Sequence, residues 1–381
     1  MKTISERVFC FLLSLWMLPL DRVEAAERPN IILIFVDDLG YGDLSCYGNE
    51  KIKTPHLDRL AREGQRWTGF YSSGSTCVPS RTGLMSGRHP GLLGTERLPA
   101  SRQSLMPAML KRRGYSTAIL GKWHLAGYPK DFSKSPMHPL ECGFDYHFGT
   151  PGSNDVPAPP GKRQTREVFD TCDKFTFPVP LIRGRETIEF PANQELLTRR
   201  YSEEAVKWIE KSTDGPFFLY LAHNMPHAPI FASPEFQERS AGGRYGDVIE
   251  EIDWSVGQIL ETLRKHQLQD NTLVIFTSDN GSNGRNGGSN LPLAGAKGGT
   301  LEGGMRVPMI ARWPGRIPAG TECDELCTTM DVLPTFCKLT GAELPERRID
   351  GHDISPLLFA DSGASTPWNH LLYYRRRQLQ A

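Results

Sequence analysis

The run Ile31-Ile32-Leu33-Ile34-Phe35-Val36, halted by Asp37-Asp38, carries the fold in miniature. All six residues are aliphatic or aromatic, with no polar alternation. Such a run suits a strand buried on both faces, the usual situation in a parallel sheet. Three further runs repeat the design. Tyr115 to Leu120 ends in Gly121-Lys122-Trp123-His124, Phe217 to Ala222 ends in His223-Asn224-Met225-Pro226-His227, and Leu273 to Thr277 ends in Ser278-Asp279-Asn280-Gly281. Helical segments separate them. Thr54-Pro55, followed by Leu57, Leu60 and Ala61 and closed by Gly64, has the marks of a capped helix. Ser104 to Arg113 closes at Gly114, and Asp247 to Gln267 carries Val248, Ile252, Val256, Ile259, Leu260 and Leu263 on one face. The alternation predicts an α/β fold, a mainly parallel central sheet flanked by helices.

Ligands in such folds bind beyond the carboxyl ends of the strands, where all four polar clusters fall. On a strand, Asp37 and Asp38 would point to opposite faces. They converge only on the loop just past its end. Asp37, Asp38, Asp279 and Asn280 offer three carboxylates and an amide oxygen, hard donors that suit calcium or magnesium rather than zinc or copper. Either pair alone reads as a cap or a turn. Two pairs, each after a buried strand, point to a divalent cation that offsets the repulsion of three anions.

Bulk properties narrow the classes. A chain of 381 residues with 39% hydrophobic content fills one large domain, or one domain and a small appendage. A formal net charge of +0, without basic stripes interleaved with aromatics, gives no footprint for nucleic acid, so any anion site is local. Lys2 and Arg7 precede an apolar run from Val8 to Leu20, and Val23-Glu24-Ala25 supplies a cleavage site. Residues 1–25 therefore read as a secretory signal peptide, which implies a secreted or periplasmic protein. The run is short for a span, which needs about 20 apolar residues. No membrane span is expected after cleavage. Of the eight cysteines, Cys10 leaves with the signal and Cys77 is set aside for chemistry. Cys46, Cys142, Cys172, Cys323, Cys327 and Cys337 are available for disulfides. The Cys323/Cys327/Cys337 group lacks paired C-x-x-C spacing, so zinc is not expected there.

Cys77-Val78-Pro79-Ser80-Arg81 precedes Thr82 to Ser86, a predicted first helical turn. Pro79 suits a helix opening, where its missing N–H costs nothing. Helix N-termini favour anions, and Arg81 adds a planar cation suited to sulfate or phosphate oxygens. The stretch Cys77 to Arg88, C-V-P-S-R-T-G-L-M-S-G-R, resembles the signature of the type I, formylglycine-dependent sulfatases, arylsulfatase-like members of the alkaline phosphatase superfamily.

That resemblance implies a set of roles. Cys77 would be oxidised to formylglycine by a formylglycine-generating or sulfatase-maturating enzyme, and its hydrated aldehyde would be the nucleophile. Asp37, Asp38, Asp279 and Asn280, with an oxygen of the modified Cys77, would hold Ca2+ or Mg2+. Gly121-Lys122-Trp123-His124 matches the family's G-K-W-H element, in which the lysine and histidine meet formylglycine and sulfate. His223 to Pro229 resembles its histidine loop, where the residue matching His227 binds sulfate and protonates the leaving alcohol, work suited to a pKa near neutrality. His223 itself is left outside the site. Lys297 opens a match to K-G-x-x-x-E-G-G-x-R-V-P and would bind sulfate. Gly149 to Asp155 resembles a site-lining loop more weakly. Arg81, Lys122, His124, His227 and Lys297 are thus the expected catalytic companions of Cys77.

The implied activity is hydrolysis of sulfate monoesters, on sulfated carbohydrates by family precedent. Two alternatives stand: a phosphate ester or phosphonate hydrolase of the same superfamily, or an inactive glycan-binding homologue. The second arises at the C-terminus. The family continues into a smaller subdomain with an antiparallel sheet. After a catalytic domain over residues 26–365, residues 366–381 match only a truncated stub, the first strand of that C-terminal subdomain.

Overall fold

Every residue of the strand Asn30–Val36 is buried, and the strand lies at the heart of a ten-stranded sheet. The computed structural model describes residues 28–93, 102–158, 164–375 and 378–379; the expected signal peptide lies outside them. The sheet runs Thr321–Cys323, Gln65–Trp67, Met309–Arg312, Thr272–Ser278, Asn30–Val36, Phe217–Ala222, Ser116–Lys122, Tyr146–Thr150, Leu181–Arg183, Glu186–Glu189. Its five central members, Thr272–Ser278 through Tyr146–Thr150, pair in parallel, and antiparallel strands flank them on both sides. All four apolar runs therefore become neighbouring central strands.

Alternation along the first strand divides the core in two. Ile31, Leu33 and Phe35 join one cluster, and Ile32, Ile34 and Val36 join the other. On the first face pack the helices Cys77–Ser86, Met106–Arg112 and Val332–Thr340, through Leu84, Met109 and Phe336 among others. Helices Pro55–Arg62, Leu197–Lys211 and Gly243–Lys265 cover the second, through Leu60, Tyr201 and Ile252. Burying each large apolar side chain contributes roughly 1.5–3 kcal/mol, so this one strand anchors both layers.

Several boundaries differ from the sequence expectation, each for a local reason. The cysteine helix spans Cys77–Ser86, beginning at Cys77 itself and not at Thr82. Pro79 is harmless there, because the first turn's N–H groups have no intrahelical acceptors. The Thr54 hydroxyl does not cap its helix; it accepts from Ser45 N at 3.0 Å instead. Asp253, on the long helix, takes that helix's free donors, His56 N at 3.2 Å and Leu57 N at 2.7 Å. The strand Ser116–Lys122 runs two residues past Leu120. Gly121 makes that possible: at φ 108° a Cβ would sit 1.9 Å from the Ala222 carbonyl oxygen. The long helix starts at Gly243, four residues before Asp247.

Two further features concern the cysteines and the last described residues. The seven described cysteines are all free, so no disulfide forms among the described residues. Cys142, Cys323, Cys327 and Cys337 sit inside the apolar core as small hydrophobes. Near the end of the described chain, Tyr374–Arg375 pairs antiparallel with Gln378–Leu379. Pairing with itself satisfies backbone groups that a lone strand leaves open. Among the described residues, no helix is long and apolar enough to cross a membrane.

Candidate active site

Parallel register brings the two acidic pairs together. Val36 lies opposite Ser278, so the residues that follow, Asp37 and Asp279, emerge side by side, and Asp279 N donates to the Val36 carbonyl at 3.0 Å. Asp38 then turns the chain at φ 67°, a left-handed conformation that aspartate tolerates better than most residues. Its backbone N–H donates to Asp279 Oδ1 at 3.1 Å, and its carboxylate meets Asn280 Nδ2 at 2.7 Å. The convergence expected past the strand end is thus built by one turn and one strand pairing.

Cys77 opens its helix toward this cluster and is 5% exposed. Its Sγ lies 3.2 Å from Asp37 Oδ1, 4.0 Å from Asp38 Oδ1 and 3.4 Å from Lys297 Nζ. One turn on, Arg81 is fully buried and spreads its guanidinium over three partners. Nε and Nη2 reach Asp279 Oδ2 at 3.1 and 2.9 Å, while Nη1 reaches the Lys122 carbonyl at 3.1 Å and the Tyr220 hydroxyl at 3.2 Å. Lys122 Nζ pairs with Asp37 Oδ2, and Lys297 Nζ with Asp38 Oδ1 at 2.7 Å. Three carboxylates therefore face three cations inside a closed space.

The two histidines sit at the rim. His227 Nε2 is 3.9 Å from Asp38 Oδ2 and 3.5 Å from Ser153 Oγ, and Nδ1 is 2.6 Å from the Ala228 carbonyl. That carbonyl can only accept, so Nδ1 carries the proton and Nε2 is left facing the cluster. His124, at φ 61°, bonds the Tyr128 hydroxyl through Nε2 at 2.8 Å; its buried Nδ1 has no partner among the described residues. His223 points elsewhere. It is buried against Ser255 Oγ at 3.2 Å, in keeping with its exclusion from the site.

Burial and charge set the protonation states. Burial alone pushes the Asp37 carboxyl up, but Lys122, His227, Arg81 and Lys297 together hold it well below the usual carboxylate range. Asp279 goes the other way, raised to about 7 by burial and by its neighbour Asp37. Burial and then Lys122 depress His124 well below an ordinary imidazole, so it is neutral at pH 7. Burial and then Asp37 lift the Cys77 thiol well above its ordinary value. Nucleophilic cysteines show the reverse, a thiolate stabilised by positive surroundings.

The chemistry of the donor set fits a divalent cation. Ligand atoms from Asp37, Asp38, Cys77 and Asp279 all lie within 4.8 Å of one another. Asn280 Oδ1, beside them, is buried without a hydrogen-bond partner among the described residues. An orphaned acceptor next to three carboxylates calls for a positive charge.

The family model described as Sulfatase matches residues 29–342. The chain belongs to the sulfatase family. Within the alkaline phosphatase superfamily this sulfatase is a sulfuric ester hydrolase. It is 39% identical to the N-acetylgalactosamine-6-sulfatase of Canis lupus familiaris, over 94% of this chain and 70% of that protein. Steryl-sulfatase of Homo sapiens is 37% identical, over 90% of this chain and 71% of the relative. Among solved structures, Ps i-CgsB in complex with k-i-k-neocarrahexaose superposes with a TM-score of 0.75 at 33% identity, covering 88% of this chain and 77% of that one.

The fold of this sulfatase brings Cys77, Arg81, Lys122, His227, Lys297, Asp37, Asp38, Asp279 and Asn280 into one cluster, with His124 at its edge. Sequence reasoning missed Tyr220, which sits inside an apolar strand and carries no outward signal of its bond to Arg81. It also missed Tyr128, four residues beyond the end of the motif read there. Asp43 was missed as well. Its carboxylate accepts from Gly40 N at 2.6 Å, Ser289 N at 2.6 Å and the Tyr245 hydroxyl at 2.5 Å, clamping the Asp37–Asp38 loop to the segment after Asn280. Asn290 extends the clamp. Its Oδ1 accepts from Ser282 N at 2.9 Å and its Nδ2 donates to Gly295 O at 3.1 Å, while Lys297 N donates to Ser282 O at 3.1 Å.

Proposed function

We propose that this sulfatase is exported by residues 1–25 and hydrolyses sulfate monoesters on carbohydrates, using formylglycine at Cys77 and calcium or magnesium. The catalytic domain covers residues 26–365. The observation that carries the reading is the position of Cys77: Sγ is 3.2 Å from Asp37 and 3.4 Å from Lys297, inside the four-donor acidic cluster. Asp37, Asp38, Asp279 and Asn280 would hold the metal with an oxygen of the modified Cys77. The metal would supply charge neutralisation and the hydrated formylglycine a hydroxyl nucleophile, which a thiol lacks.

The remaining work falls to this chain's side chains. Lys122, Lys297 and Arg81 hold fixed positive charge where the sulfuryl oxygens gain negative charge, and fixed electrostatics of this kind dominate such barriers. Arg81 also orients Asp279 through two bonds to one oxygen. His227, its Nδ1–H anchored on Ala228, directs Nε2 at the cluster, so that a proton taken up on Nε2 before the reaction is delivered to the departing alcohol oxygen. Neutral His124, whose buried Nδ1 has no hydrogen-bond partner among the described residues, accepts the proton whose loss releases sulfate.

Carbohydrate substrates are supported by the similarity to an N-acetylgalactosamine-6-sulfatase and to a structure holding a neocarrahexaose. The complete set of acidic, cationic and imidazole groups favours catalysis over glycan binding alone. The test is direct. Cys77→Ala should abolish aryl sulfate turnover, and mass spectrometry of the peptide containing Cys77 should show conversion in active protein. Turnover surviving in the variant, or an unconverted thiol in active enzyme, would sink the reading. Aryl phosphate hydrolysed faster than aryl sulfate would turn it toward the phosphoesterase alternative.

A further inference from the structure

A cavity of about 540 Å³ opens beside the catalytic cluster, with Tyr128, Lys130, Pro151, Ile182, Arg185 and Phe190 in its lining. Tyr128 joins it to the active centre: its hydroxyl bonds His124 Nε2 at 2.8 Å. Pro151, also in the wall, accepts the His124 backbone N–H at 3.0 Å. The cavity therefore begins one side chain away from His124.

Its aromatic walls are exposed yet held. Tyr128 is 54% exposed. Even so, its hydroxyl is fixed by His124 and takes Ser153 N at 3.5 Å, and its ring lies across Gly152, where a Cβ would come within 2.7 Å of a ring carbon. Any residue larger than glycine would lift that ring off its seat. Phe190 offers a second open face at 64% exposure. Fixed aromatic faces suit the C–H faces of sugar rings, because little conformational freedom is lost when the sugar docks. The volume falls within the usual range for ligand pockets, about 300–1,000 Å³.

Charge decides the kind of sugar. Asp131 is paired with Lys134, and Arg185 with Glu141. Lys130 is exposed and makes no ion pair among the described residues. Lys130 is thus an uncommitted cation in the same lining as the two aromatic faces.

We propose that this cavity binds a second saccharide unit carrying a sulfate or carboxylate, adjacent in the glycan to the unit being desulfated. Tyr128 and Phe190 stack on its ring, and Lys130 neutralises its acidic substituent. The inference rests on the reading of the site as a carbohydrate sulfatase, and it makes the enzyme a reader of two neighbouring units of an anionic glycan. Because the hydroxyl that seats the Tyr128 ring also bonds His124, the same residue belongs to both the cavity and the catalytic rim.

Calorimetric titration of Cys77→Ala protein tests this without turnover. The probes are N-acetylgalactosamine 6-sulfate against a chondroitin 6-sulfate tetrasaccharide, whose neighbouring units bear carboxylates, and galactose 4-sulfate against an iota-carrageenan tetrasaccharide, whose neighbours bear sulfate. At least one tetrasaccharide should bind about tenfold or more tighter than its monosaccharide, and which one does so identifies the anion. Adding Phe190→Ala or Lys130→Ala should each cut that gain at least about threefold. Melting temperatures establish that the variants fold, and either variant alone suffices. The inference is overturned if neither tetrasaccharide gains over its monosaccharide, or if the gain survives both substitutions. Failure of the mature parent protein to hydrolyse aryl sulfate would count against the sulfatase reading instead, a separate result.

Discussion

Replacing Arg81 by lysine isolates what the guanidinium fork contributes beyond its charge. Arg81 makes two bonds to Asp279 Oδ2 and one each to the Lys122 carbonyl and the Tyr220 hydroxyl, all in a fully buried setting. In Arg81→Lys the ammonium keeps the attraction to Asp279, but a single nitrogen cannot span acceptors on opposite sides of a fork. The Lys122 carbonyl and Tyr220 hydroxyl lose a donor where water does not reach, at about 1–3 kcal/mol each. The Phe35 ring, 5.3 Å from the guanidinium carbon, loses its cation, a further 0.5–1 kcal/mol or so. Together the loss is roughly 2.5–7 kcal/mol of folding stability. Asp279 and Lys122 are the groups the fork tethers, and displacing catalytic groups by about 1 Å costs about 100-fold in rate. Urea unfolding followed by tryptophan fluorescence at fixed calcium measures the first quantity, and aryl sulfate kinetics the second. Quantifying Cys77 conversion in both proteins keeps a maturation defect from being taken for a kinetic one. A variant within about 0.5 kcal/mol of the parent, the range of an inert surface change, and equal to it in kcat/KM would refute the reasoning.

Three other outcomes are expected. His227→Gln should slow hydrolysis of alkyl or sugar sulfates by about 100-fold or more, within the usual range for a general acid, and of nitrophenyl sulfate far less, because nitrophenolate leaves without a proton; equal losses on both would remove His227 from that role. Asp43→Asn should lower stability by about 3 kcal/mol, since Gly40, Ser289 and Tyr245 donate to both carboxyl oxygens and an amide keeps only one of them, and should also weaken calcium retention in equilibrium dialysis; unchanged retention would show that the clamp does not reach the acidic loop. His223 is lowered to about 3 by burial, below an unfolded value of about 6.5, so the stability it confers is present above that unfolded value and lost as pH falls toward the folded one. Between pH 7 and 5 the parent should therefore lose about 2 kcal/mol more than His223→Gln does, and parallel urea midpoints for the two proteins would contradict this.

What the sequence discloses depends on whether a residue interrupts a pattern. Asp37-Asp38 and Asp279-Asn280 stand out because each breaks an apolar run, and parallel pairing then makes them neighbours. Tyr220 stays hidden inside Phe217–Ala222, since a tyrosine in a buried strand reads as core. The cysteine helix starts at Cys77, five residues before the turn the sequence predicts, because a first turn tolerates Val78 and Pro79 without leaving a distinct sequence mark. Local spacing makes Thr54 legible as a cap, whereas the actual partner, Asp253, lies 196 positions from Leu57 and only the tertiary fold delivers it. Asp43 escaped for the same reason: two of its three partners, Tyr245 and Ser289, come from distant segments.

The place of Asn30–Val36 between two late strands has a consequence for the chain as it is made. Phe217, which opens the earlier of its two neighbours, lies 181 positions beyond Val36, and Thr272–Ser278 follows later still. At about 5–20 residues per second, this ribbon, apolar from Ile31 to Val36, spends roughly 10–40 s with both edges unpaired. Open edges of this kind invite pairing with other chains, so a holding chaperone has its clearest purpose in that interval. The strand that carries the first acidic pair is thus among the earliest parts of the molecule to exist and among the last to acquire both of its neighbours.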